Sequence, residues 1–219
     1  MDAEKVASPH LSTMTPLDYL TEIEYAATKV IESLWHEHAE AEALQKEIKA
    51  LRNTAEANYA RAEQIQQSAE DADDVMLGVS INWATYFNED KVQYHKSKAL
   101  SDLEARLATR EFSFASLAGT LLQFAKQGLS VAYGHPDKWP TGRAIGSLSL
   151  KTVIREARNQ SEHWEERKPR QGVEECFQAL EETKGSVFGQ YKTKNLAFEV
   201  VSMLGWRTFM DFRKDMLSM

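Results

Sequence analysis

Cysteine is almost missing from this chain. Cys176 is the only one in 219 residues, which excludes an internal disulfide framework and a cysteine-based zinc site and points to a reducing compartment. Proline is scarce as well. Its five positions (Pro9, Pro16, Pro136, Pro140 and Pro169) all fall outside the long periodic stretches, so nothing interrupts helices there. No short alternating apolar run bounded by turn residues suggests a sheet. No uninterrupted apolar run reaches the ~18 residues of a membrane span, and MDAEKVASPHLSTM lacks the apolar core of a signal peptide. These absences predict a cytoplasmic protein with no membrane partner. Positive charge is also in deficit, with a net charge of −7 and a pI near 5.5, which argues against a broad electrostatic footprint for duplex nucleic acid.

Apolar residues at 42% against 27% charged are ample for a buried core. The expected organisation is a flexible tail over 1–15 followed by a single all-helical domain over 16–219. The expected fold is all-α, an antiparallel helical bundle of about five to six helices with a long N-terminal helical hairpin. Thr15, Pro16 and Asp18 read as a cap-then-proline helix start. An apolar or small residue then recurs every seven positions (Ala27, Leu34, Ala41, Ile48, Ala55, Ala62), with Val30, Leu44, Leu51 and Ile65 three residues after some of these. This predicts a first helix to about Ser68, packed in a close hairpin within the chain.

The acidic run from Glu70 to Asp74 suits a turn and a helix N-terminus. A second helix is expected over about 74–109, on Met76, Val79, Trp83, Tyr86, Phe87, Val92, Leu100, Leu103 and Leu107. A third is expected over about 113–133, on Phe114, Leu117, Leu121, Leu122, Phe124 and Leu129. The segment GHPDKWPTGRAIG, residues 134–146, reads as an irregular loop. Further helices are expected over about 147–167, 173–183 and 195–217.

Chemistry concentrates on the helix predicted at 147–167. Projected at ~100° per residue, Val153, Ile154, Ala157 and Trp164 form an apolar stripe, while Arg158, Glu162, Arg155, Asn159 and His163 fall within an arc of roughly 140° on the other side. Lys151, Arg155, Arg158, Arg167, Lys168 and Arg170 concentrate positive charge around it, a local field that attracts phosphate. Arginine offers a permanently charged planar donor fork, and histidine an unperturbed pKa near neutrality. Together these are the two functions that phosphodiester cleavage requires.

The run Arg158-Asn159-Gln160-Ser161-Glu162-His163 resembles the HEPN superfamily motif: an arginine, a polar residue with asparagine favoured, and a histidine four to six positions on, in a late helix of an all-helical chain. The resemblance covers about 75–217. It implies a metal-independent endoribonuclease that takes RNA as substrate, works as a homodimer with its motifs in a shared cleft, and belongs to a toxin–antitoxin or other antiphage defence system with an antitoxin or similar partner protein. Carried over, His163 acts on the ribose 2′-hydroxyl or the leaving oxygen, Arg158 holds the scissile phosphate, and Asn159 orients His163 or the phosphate. Arg155, Lys151 and Arg167 are the candidate substrate-binding residues. Glu162, one turn from Arg158, competes for its guanidinium. Other members of the superfamily are catalytically inactive helical nucleotide-binding or protein-interaction modules.

The bland reading of Arg158, Asn159 and His163 is a solvated helix face whose charges pair along the helix. His36 and His38, two residues apart, face away from each other and make no helical metal pair. His95 and His135 have no ligand partners at recognisable spacing, so no metal site is expected. Cys176 reads as buried and inert. Lys138, Trp139 and Arg143 could contact a base, although Trp139 reads better as a loop anchor. No P-loop glycines, dinucleotide fingerprint or HExxH run occurs, and no cofactor is expected.

Overall fold

The computed structural model describes residues 14–67 and 72–219, with side chains described outside 54–97. Residues 72–74 of the turn expected at 70–74 already belong to a helix. Its residues 70 and 71 and most of the tail expected at 1–15 lie outside the described residues. So do the side chains of Ala55, Ala62 and Ile65, and of the second-helix positions Met76, Val79, Trp83, Tyr86, Phe87 and Val92.

Six α-helices appear among the described residues: α1 (Pro16–Gln67), α2 (Ala72–Tyr133), α3 (Leu150–His163), α4 (Gln171–Lys184), α5 (Ala197–Leu204) and α6 (Phe209–Leu217). Short 3-10 helices lie at Pro136–Lys138, Trp164–Glu166 and Ser186–Lys192. The all-helical reading holds, with three local differences. The helices expected at 74–109 and 113–133 are one continuous α2, because Thr109-Arg110-Glu111-Phe112-Ser113 holds neither glycine nor proline to end a helix. The helix expected at 195–217 is two. Gly205 adopts the left-handed conformation at φ +79 and closes α5, and Thr208 with Asp211 builds a capping box that starts α6. The loop at 134–146 also contributes to a minimal hairpin, β1 (Ala144–Ile145) antiparallel to β2 (Leu148–Ser149).

α1 begins where the cap-then-proline pattern places it. The Asp18 amide donates to Thr15 Oγ1 at 3.2 Å and the Thr15 hydroxyl donates to the Asp18 carboxylate at 2.6 Å, with Pro16 at the first helical position, where its missing N–H is not needed. That hydroxyl holds the Asp18 carboxyl below its ordinary value.

Contacts divide the chain into two compact units, one of residues 36–113 and one of residues up to Trp35 with Phe114–Met219. In the unit of 36–113, Leu44 and Ile48 of α1 bury against Leu103 of α2. Arg110 donates to Glu37 at 2.6 Å, and Arg52 pairs with Glu104, so this stretch is an antiparallel hairpin. Ala41 and Ile48 of the seven-residue pattern are buried, whereas Leu51 is exposed.

The other unit holds the larger core. α1 contributes Leu20, Ala27, Ile31 and Leu34, and α2 contributes Ala118, Leu121, Leu122, Ala125 and Leu129. α3 sits among them through Leu150, Val153, Ile154 and Ala157, against Val173, Phe177 and Leu180 of α4 and Val200, Val201 and Leu204 of α5. Each fully buried leucine or isoleucine contributes ~1.5–3 kcal/mol. Two polar staples fix the irregular segments. Trp139 is buried and its indole donates to the Gly134 carbonyl at 3.0 Å, so it anchors the loop. Arg143 binds both carboxylate oxygens of Asp215 at 2.7 Å and the Leu204 carbonyl at 2.8 Å, while the Trp206 indole donates to Asp215 at 2.8 Å. Arg143 is therefore structural, and its partner raises its pKa.

α1 packs tightly on α2 at Gly128, where a Cβ would stand 2.7 Å from the Tyr19 ring. That ring is held in place by its hydroxyl, which donates to the Phe124 carbonyl at 3.0 Å. Gly128→Ala is therefore expected to lower stability by about 1–3 kcal/mol despite the better helix propensity of alanine. Urea unfolding followed by circular dichroism checks this, and an unchanged or raised midpoint contradicts it.

Candidate functional site

α3 starts at the end of the β-hairpin, where Ser149 caps it by accepting from the Thr152 amide at 3.2 Å. Its apolar stripe is as the projection predicts for Val153, Ile154 and Ala157, all fully buried. Trp164 departs from it. The α-helix ends at His163, the next three residues form a tighter turn, and Trp164 is half-buried beside a cleft rather than in the core.

A shallow, solvent-open cleft lies at the C-terminal end of α3. Asn159, His163 and Trp164 form one wall, and Tyr191 with Lys192 contribute another. Arg167, Lys168 and Arg170 also line it, so four cations face one depression in a chain of net charge −7. Glu166 is the acidic residue among its lining. Arg167 adopts φ +53, a left-handed conformation uncommon for a residue with a side chain.

Asn159 and His163 thus meet on the cleft, and Arg158 does not line it. The Arg158 Nε donates to Gln123 Oε1 on α2 at 2.7 Å, and its Nη2 stands 3.8 Å from Glu162, too far for a hydrogen bond. The physical reason is the width of the polar arc. Across roughly 140°, one edge looks toward α2 and the other toward the turn after α3. Asn159 donates to Glu156 at 3.3 Å, and His163 Nδ1 is 2.9 Å from Glu166 Oε1.

The candidate substrate-binding residues separate as well. Lys151 donates to the Trp139 carbonyl at 3.1 Å, and Arg155 donates to Glu156 at 2.5 Å. Of the three, Arg167 alone lines the cleft. His135 pairs with Asp137 at the surface, and the His95 side chain lies outside the described residues. Among the described residues, no group of three or more His, Cys, Asp or Glu side chains is placed to hold a metal ion.

Two buried polar residues on α3 escaped the sequence reading. Gln160 donates to the Tyr191 and Lys194 carbonyls at 2.9 and 2.6 Å and accepts from the Leu196 amide at 3.0 Å. It therefore pins the segment that supplies Tyr191 and Lys192 to the cleft. Glu156 is buried with its carboxylate against Gly172, where a Cβ would stand 3.1 Å away. That close approach explains the glycine in the first turn of α4. The available signal was position: Gln160 follows Val153 by seven residues, which places it within ~20° of that buried valine on the helix. Cys176 is buried, and loss of solvent, followed by the nearby Glu156 charge, pushes its thiol up to about 12, so it is a poor nucleophile near neutrality.

Gln160→Ala leaves the Leu196 amide and two carbonyls without their buried partner. A loss of about 2–4 kcal/mol is expected, together with faster amide exchange across residues 191–196. Hydrogen exchange read by mass spectrometry checks this, and unchanged protection of that segment contradicts it. Compared with known proteins, the chain matches no family model, no curated protein and no solved structure, so the functional reading rests on this cleft.

Proposed function

We propose that this chain is a metal-independent endoribonuclease of the HEPN type, with His163 as its proton-transfer group. The observation that supports this most directly is that His163 and Asn159 share one cleft with Arg167, Lys168, Arg170 and Lys192. A nucleophilic 2′-hydroxyl loses its proton to the imidazole and attacks the adjacent phosphorus. The bond from phosphorus to the 5′-oxygen breaks, and that oxygen takes a proton from the imidazolium or from water. The products are a 2′,3′-cyclic phosphate and a free 5′-hydroxyl. The cleft cations neutralise the charge that builds on the phosphate oxygens.

Within this reading, contact with phosphate passes from Arg158 to Arg167 and Arg170, because the Arg158 guanidinium is engaged with Gln123. The homodimer and the restraining partner protein of a toxin–antitoxin or antiphage system, both implied by the resemblance, belong to the same proposal. A second reading, a catalytically inactive nucleotide-binding or protein-interaction module, is favoured by the way polar side chains pair locally along α3 and the turn after it: Arg155 with Glu156, and His163 with Glu166.

Cleavage of a mixed RNA pool in EDTA separates the two. The ribonuclease reading predicts cleavage with cyclic-phosphate ends, lowered about 100-fold or more by His163→Ala. The doubly substituted Arg167→Ala, Arg170→Ala protein is expected to raise KM, and Arg158→Ala to have a smaller effect than His163→Ala. No cleavage by the wild-type protein, or equal cleavage by a folded His163→Ala protein, favours the inactive module. Arg158→Ala that abolishes cleavage with its fold intact returns the phosphate contact to Arg158.

A further inference from the structure

We propose that Glu166 is a positioning residue for His163: it holds the proton on Nδ1 and so keeps Nε2 as the ring's free proton acceptor. The inference rests on the ribonuclease reading for the use of that acceptor, and on the local geometry for the tautomer.

The fold brings the two side chains together in three steps. α3 ends at His163, which is the residue preceding the 3-10 turn Trp164–Glu166. Residues three apart eclipse in a 3-10 turn, which sets Glu166 over His163. Arg167 then stops the turn in its left-handed conformation at φ +53, with its amide on the Trp164 carbonyl at 3.3 Å. The result is the 2.9 Å contact between His163 Nδ1 and Glu166 Oε1.

An ionised carboxylate only accepts hydrogen bonds. A neutral imidazole bonded to it through Nδ1 must carry its proton there, and the lone pair is then on Nε2. Both residues line the cleft with Asn159 and the four cations. The pair is half exposed, with side chains 47% and 58% accessible. A mere surface ion pair of that exposure holds no fixed geometry, and that is the alternative the test must exclude.

The test reads the tautomer directly. Long-range proton–nitrogen correlation spectra of ¹⁵N-histidine-labelled protein are recorded above the titration range of the ring, with His163 assigned by its loss in His163→Gln. The wild-type protein is expected to show the proton on Nδ1. Glu166→Ala is expected to move it toward Nε2, the tautomer that water favours. Glu166→Gln, whose amide oxygen still accepts, is expected to restore Nδ1. In RNA cleavage, Glu166→Ala should lower kcat roughly tenfold or more with little change in KM, and Glu166→Gln should recover most of it.

An unchanged tautomer in Glu166→Ala overturns the inference, as does a moved tautomer with unchanged kcat. A wild-type protein with the proton on Nδ1 and no cleavage of RNA overturns the catalytic use of the ring along with the ribonuclease reading, while the hydrogen-bond assignment stands on the spectra.

Discussion

The cleft depends on one buried amide. Gln160 lies on the core side of α3 with both of its donors and its acceptor engaged by the backbone of residues 191–196. A buried amide left unpaired costs more than its hydrogen bonds contribute when made, so this segment has one favourable seat against α3. That seat delivers Tyr191 and Lys192 to the cleft opposite Asn159 and His163. Glu156, one turn earlier and also buried, sets the spacing to α4 through its contact with Gly172. Polar residues within the core surface of α3 therefore determine where the exposed ones on its rim can meet a ligand.

The electrostatics of that rim are mixed, and this gives the site its character. Lys192 pairs with Glu174, while Arg167, Lys168 and Arg170 follow one another around the turn that enters α4. Exposed ion pairs of this kind are worth at most ~1 kcal/mol. A phosphodiester bringing its own negative charge can therefore displace or share them at little cost. Arg158 differs, because its planar fork is engaged by a side-chain amide of a neighbouring helix and only 24% of its side chain is accessible. Recruiting it to a substrate requires breaking that contact.

Much of the architecture was legible in residue order because helices announce themselves by period. Ala27, Leu34, Ala41 and Ile48 repeat at seven residues and all are buried, and Thr15-Pro16 marks the start of α1. What was not legible was punctuation that depends on backbone conformation. Gly205 ends α5 by turning left-handed, and Arg167 does the same after His163 without being glycine. The site was legible in composition and incomplete in geometry. A helical projection brings Arg158 and His163 within one arc, yet it cannot say that α2 occupies one edge of that arc and the turn into α4 the other. Nor does a projection that sorts residues by polarity place Glu156 and Gln160 inside. For Gln160, its position beside Val153 was the clue.

The proposed activity requires that the cleft at the end of α3 receive an RNA backbone. The most direct measurement is an amide and side-chain NMR titration of the protein with a 2′-O-methyl RNA oligonucleotide, which presents phosphates and bases but lacks the attacking hydroxyl. Saturable shifts confined to Asn159, His163, Trp164, Arg167, Arg170 and Lys192, weakening as salt is raised, are the predicted result. Saturable shifts elsewhere with those residues unmoved, or no shifts at all at low salt, would contradict it.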